Sequence, residues 1–139
     1  MRVVGFTLFT MRSISMQPTI PENATVVVSA WPYVKADPVL GDVVAFRWPR
    51  DPSLSLVERV IAGGGSTIEI VDGVTIVNGK PIDEPYVDPR NKESEYSRRG
   101  SLYRVSANEF YVMGDNRDHS ADRGVVPRSY LIGKVEKVE

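Results

Sequence analysis

The chain of 139 residues has no cysteine and one histidine, His119. The first absence excludes disulfides, thiolate metal sites and a cysteine nucleophile, and it leaves the redox compartment open. The second leaves no partner imidazole or thiolate for a zinc ion, so His119 reads as a solvated side chain and no metal is expected. Charge of one sign is missing too, because 17 basic residues are met by 18 acidic ones. Such a balance gives no electrostatic footprint for nucleic acid and no basic patch for anionic lipid. No apolar run approaches the roughly 18–20 residues that cross a bilayer. The stretch VVGFTLFTM at residues 3–11 is short, is interrupted by threonine and lacks the small-residue cleavage pattern of a secretory signal. It reads as a buried strand, or as what remains once an anchor is removed. The length suits one hydrophobic core, so a single domain over residues 1–139 is expected, soluble and without a transmembrane anchor.

What is present repeats at strand period. ATVVVSAW, GDVVAFRW, LVERVIA, STIEIV, VTIVNG, FYVMGD and LIGKVEKV alternate or cluster β-branched residues, and no window keeps a helical period over three turns. A nearly all-β, compact antiparallel body follows. Asp72-Gly73 and Asn78-Gly79 sit beside alternating apolar stretches, where residues tolerating positive φ make tight hairpin turns, so residues 66–82 are expected to form hairpins. Residues 83–105 are rich in charge and poor in apolar side chains; they are expected to form a polar surface excursion. Trp31, Phe46 and Trp48 are assigned to the core, the alternative being a lipid-facing edge.

Taken singly, the polar motifs have ordinary readings. SISMQPT at residues 13–19 is a strand end running into a proline turn. GDNRDHSAD at residues 114–122 is a loop capped by its own Asp and Asn side chains. It is not a calcium loop, since Arg117 stands at the third position, where an oxygen ligand is required. AGGGS at residues 62–66 lacks the Gly-Lys-Ser/Thr ending of a phosphate loop and reads as a flexible turn.

In combination they are more specific. Ser-x-Ser-Met-x-Pro-Thr, then GDVVAFRWP with VERVIAGGG, then VNGKPIDEPY, then YVMGDNRDHSAD with GVVP, and finally IGKV follow one another in that order. The pattern, from Ser13 to Val135, resembles the signal peptidase I family of serine endopeptidases. The resemblance implies Ser15 as nucleophile and Ser13 as a hydroxyl that, with the Ser15 N–H, stabilises the oxyanion. On an extended segment residues i and i+2 face one side, so both hydroxyls can enter one cleft; a donor aimed at the oxyanion is worth roughly 3–4 kcal/mol of barrier. It further implies Ser120 as the hydroxyl that orients the base, Asp115 in support, and a structural ion pair between Asp122 and Arg123. No metal or organic cofactor is implied. The implied partners are exported precursor proteins, cut after a small residue with another small residue two positions earlier, at the membrane surface on the extracytoplasmic face.

One departure stands out. A serine hydroxyl needs a base, and the family places a lysine, neutralised by an apolar site, before Arg-Val-Ile. Here that position is Glu58. A glutamate titrating near its ordinary value of about 4.3 is a poor acceptor for a serine proton; burial improves the match and, taken further, protonates the carboxyl so that it cannot act. Lys35, Lys80, Lys92, Lys134 and Lys137 all lie in turns, hairpins or the last strand and offer no replacement by sequence. Three explanations stand: an inactivated peptidase, a working Ser/Glu pair, or a non-proteolytic relative that binds peptide or assists assembly. Ser120 facing a carboxylate is expected to donate a hydrogen bond to Glu58 and hold its ionised form. A second departure is the shortened Asp122-Arg123-Gly124 segment before Val-Val-Pro.

Overall fold

The computed structural model describes residues 2–3 and 5–139, so part of the 3–11 stretch lies outside the described residues. Its strands are β1 (Arg2–Val3), β2 (Phe6–Thr10), β3 (Thr25–Ser29), β4 (Val43–Trp48), β5 (Asp51–Ala62) and β6 (Thr67–Val71). They continue as β7 (Val74–Val77), β8 (Lys80–Pro81), β9 (Arg99–Arg104), β10 (Glu109–Met113), β11 (Gly124–Pro127) and β12 (Leu131–Val138), with a single-turn helix α1 (Glu95–Arg98). All described pairings are antiparallel, in one sheet ordered β1-β2-β3-β12-β4-β5-β10-β11 and a second ordered β8-β7-β6-β9.

The central strands explain the layering. β4 buries both faces: Val44, Phe46 and Trp48 enter one cluster with Val60, Phe110, Val112 and Val126, while Ala45 points the other way, to Met16, Ile20, Val26, Val28 and Val57. Period-2 alternation on a sheet covered on both sides gives this division. β5 runs on into a third cluster, where Ile61 and Ala62 meet Ile68 and Ile70 of β6 together with Val105 and Met113. That cluster packs the small sheet against the large one.

The expected hairpins form. Asp72 and Gly73, and again Asn78 and Gly79, all take positive φ, joining β6 to β7 and β7 to β8; both central residues positive is the turn whose twist matches the strands. Three expectations are corrected. Residues 83–105 are not wholly an excursion, because α1 leads into β9, which pairs with β6. Few apolar residues mark this segment because it is held by polar anchors: the Asp118 carboxylate accepts the N–H groups of Glu93 and Ser94 at 2.8–3.0 Å. β2 is not buried; Phe6 and Leu8 lie on its exposed face, close to the sheet edge. Trp31 is 61 % exposed, unlike Phe46 and Trp48.

A buried ion pair joins the loop after β10 to the small sheet. Arg117 donates through Nε to the Gly114 carbonyl at 3.0 Å, reaches Thr75 of β7, and pairs with Glu84, with only 3 % and 5 % of the two charged side chains exposed. Removing one member strands the other charge in a dry place. Glu84→Ala is therefore expected to cost about 3–5 kcal/mol of stability, read by urea unfolding, whereas truncating the exposed Arg90 of the Asp88 pair is expected to leave the unfolding midpoint in place.

Candidate active site

Two turns and one strand build the site. Beyond β2 the chain turns over Ile14–Ile20, with the Gln17 N–H donating to the Ile14 carbonyl at 3.1 Å and the Ile20 N–H to the Met16 carbonyl at 2.9 Å. Met16 and Ile20 are fully buried and nail this turn to the core. The loop after β10 docks on it from the other side: Asn116 donates its backbone N–H to the Ser15 carbonyl and its side-chain amide to the Ile14 carbonyl, each at 2.9 Å. Gly114 makes the approach possible. A Cβ there would lie 2.2 Å from the Ser120 hydroxyl and 2.6 Å from the Ser15 carbonyl oxygen, so no side chain fits.

The strand is β5, whose neighbours Glu58 and Arg59 point to opposite faces. Arg59 grips Asp115 in a two-pronged pair, Nε to Oδ1 and Nη2 to Oδ2 at 2.8 Å each, and its third nitrogen reaches the Gly41 carbonyl at 2.8 Å. Its guanidinium lies 3.9 Å from the centre of the Tyr86 ring. Asp115, fully buried, also accepts the Thr19 hydroxyl at 2.5 Å. This pair clamps β5 to the loop after β10 and, through Thr19, to the serine turn. Parallel two-pronged geometry fixes orientation as well as distance.

Glu58 has the opposite fate. It is 2 % exposed, and its Oε2 is buried without any hydrogen-bond partner. Loss of hydration, with the like charges of Asp122 and Asp115 adding to it, pushes its carboxyl well above the usual carboxylate range. The expected ionised glutamate held by Ser120 is thus corrected. The Ser120 oxygen instead accepts the Gly114 N–H at 3.2 Å.

Glu58, Ser13, Ser15, Ser120, Asp122 and His119 all line one cavity of about 150 Å³. The structure thus brings the sequence-derived serines and position 58 into one space, and it adds His119 at the cavity wall, which had been read only as solvated. The two serines do not converge by strand pleat. Ser15 opens a turn, and its N–H donates to the Ser13 Oγ at 3.0 Å, so the two groups expected to hold an oxyanion hold each other instead. Arg123 does not pair with Asp122. It donates to the carbonyls of Tyr96 and Arg99, and the ion pair of this region is Arg59–Asp115. No lysine lines the cavity; Lys134 is turned to Asp42 at 3.7 Å. Among the described residues no cluster of His, Cys, Asp or Glu could hold a metal ion.

Free backbone flanks the cavity. β5 pairs with β4 along Asp51–Arg59 but with β10 only from Arg59 to Ala62, so Ser55–Val57, which line the cavity, have one unpaired edge among the described residues. Phe9 and Thr10 of β2 line the same cavity. Thr19, Asn116, Arg59 and Gly114 escaped sequence reading because each acts through a partner far along the chain. Arg59 did leave a signal, a lone cation between Val57 and the apolar run Val60–Ala62.

A family described as "Signal peptidase, peptidase S26" matches residues 1–138. Signal peptidase I of Leptolyngbya laminosa is 33 % identical over 132 residues, covering 88 % of this chain and 63 % of the relative. Signal peptidase I of Aquifex aeolicus is 27 % identical, covering 91 % and 72 %; that of Mycobacterium tuberculosis is 38 % identical, covering 68 % and 43 %. The chain therefore spans less than two thirds of the length of several relatives. In structure it is similar to a signal peptidase I from Enterococcus faecalis V583, with a TM-score of 0.60 at 23 % identity, over 72 % of this chain and 97 % of that one.

Two outcomes follow from the geometry. Below about pH 4 Glu58 is protonated in folded and unfolded chains alike. As pH rises through the ordinary glutamate range the unfolded chain loses the proton while the folded one keeps it, and stability falls by up to about 1.4 kcal/mol per pH unit until the raised folded value is passed. Glu58→Gln is expected to abolish that decline, so parent and variant match near pH 4 and diverge in the variant's favour at pH 8 in urea unfolding. Gly114→Ala is expected to push Ser120 and the serine turn apart and to cost about 1–3 kcal/mol by overpacking, measured in the same way.

Proposed function

This chain belongs to the peptidase S26 family of signal peptidases, and from that premise we propose that it is a signal peptidase I-type serine endopeptidase cleft whose chemistry Glu58 holds back. The observation that carries the reading is the shared cavity of Ser13, Ser15, Glu58 and Ser120 beside an unpaired strand edge. An exported precursor lies along that edge as an added strand; main-chain pairing supplies affinity and shallow pockets accept small residues at the cleavage position and two positions earlier. Ser15 is the nucleophile. Its hydroxyl oxygen would attack the scissile carbonyl carbon, its proton going to a base and the amine leaving with a proton returned. Ser13 turns its hydroxyl off the Ser15 N–H as the oxyanion develops, and both then donate to it.

Glu58 is the obstacle. A carboxyl whose proton burial holds well above the usual carboxylate range presents less of its ionised, proton-accepting form to Ser15, and loss of a positioned base costs about 10²–10⁴-fold in rate. A second reading, a peptide-binding or assembly-assisting module without turnover, is favoured by the same buried, unpartnered carboxyl. Asp115 supports the site by locking β5 to the serine turn. Asp122 stands at the cavity rim and adds like charge to Glu58; Arg123 braces Tyr96 and Arg99.

The membrane surface on the extracytoplasmic side is the setting proposed. Phe6 and Leu8 on β2, and Trp31, which packs across Gly5 just ahead of β2, are exposed apolar groups near that end of the large sheet. Among the described residues no helix is long and apolar enough to cross a bilayer.

Incubation with an exported precursor tests the proposal. The unmodified chain is expected to cleave at least about 100-fold more slowly than Glu58→Lys, and Ser15→Ala in the Glu58→Lys background is expected to abolish the product. Ser15-dependent cleavage by the unmodified chain at the rate of Glu58→Lys would establish a working Ser/Glu pair instead. Binding without cleavage by either chain would favour the module.

A further inference from the structure

The unpartnered oxygen of Glu58 raises a question that peptide cleavage does not answer, namely what the carboxyl is complementary to. Glu58 lines a cavity of about 150 Å³ whose wall combines the hydroxyls of Ser13, Ser15 and Ser120 with the apolar groups of Met11 and Val57. A second carboxylate, Asp122, stands at the exposed rim. A buried acceptor with no donor costs roughly 1–3 kcal/mol or more, and it is relieved by any group that brings a donor, most of all a charged one.

From these groups we infer that the cavity is a binding site for a primary alkylammonium, the head group of a free amine or of a lysine side chain on a bound polypeptide. An ammonium carries three donors on a compact centre and an alkyl stem. The Glu58 carboxyl takes one donor, and the serine hydroxyl oxygens are there for the others. The stem lies along Met11 and Val57.

The remaining charges facing the cavity set the pH dependence. Arg12 and His119 line it from exposed positions and oppose a cation; neither reaches Glu58 Oε2. Asp122 and Asp115 favour it, and Arg59 is neutralised in its pair with Asp115. Binding as an ion pair requires Glu58 to give up its proton. Affinity for the ammonium is therefore expected to strengthen with pH, by up to about tenfold per unit while the free carboxyl is still protonated, and to level off above that range.

The inference does not rest on turnover, since binding is read without cleavage. The probe is n-butylamine, with 1-butanol as the uncharged control of the same chain length, followed by thermal unfolding and by calorimetric titration at pH 6 and pH 8. The amine is expected to raise the unfolding midpoint by about 3 °C or more at saturation and to bind more tightly at pH 8. Glu58→Gln, which keeps the shape, is expected to lose the shift, and Asp122→Asn at the exposed rim to weaken it by a few-fold. A peptide carrying lysine that displaces n-butylamine, where its norleucine counterpart does not, identifies a polypeptide as the source; displacement by neither identifies a free amine. Equal shifts with amine and alcohol, or an amine shift undiminished in Glu58→Gln, overturn the inference whether or not the chain cleaves precursors.

Discussion

The two-pronged pair of Arg59 with Asp115 is the contact on which the rest of the site depends. It joins β5, towards its C-terminal end, to the loop after β10, and Thr19 on the same carboxylate brings in the serine turn. Asp115 is wholly buried and Arg59 nearly so, which makes the arrangement intolerant of losing either partner. Because β5 residues alternate faces, fixing Arg59 on one side fixes residue 58 on the other. The cavity inherits its geometry from a pair that does not line it.

That geometry makes Glu58 chemically unusual. Its neighbour is paired on three nitrogens, while its own Oε2 meets no donor, and two acidic groups add to the cost of ionising it. An apolar pocket that strips the proton from a cation puts one onto an anion, since desolvation disfavours whichever form is charged. The same surroundings that would lower a lysine's hold on its proton raise a glutamate's.

Much of this was readable in the sequence where the cause is local. The Asp-Gly and Asn-Gly turns declare themselves because two adjacent residues decide them, and β4 does so through the apolar run of residues 43–46. β9 was missed because its evidence lies elsewhere, in the strand β6 that it pairs with and the Asp118 carboxylate that anchors its approach. The site divides in the same way. Ser13, Ser15 and Glu58 were found from ordered motifs, whereas the Ser15 N–H resting on the Ser13 oxygen, Gly114 without room for a Cβ, and Arg123 turned to carbonyls away from Asp122 are matters of direction that no spacing encodes.

The account turns on the protonation of one carboxyl in the folded protein. Direct titration of the Glu58 side-chain carbon by NMR measures it without any functional assay. The prediction is a midpoint well above the usual carboxylate range, displaced upward by burial and by the like charges of Asp122 and Asp115. A Glu58 midpoint near about 4.3 would show an ionised carboxylate in the cavity and contradict the account.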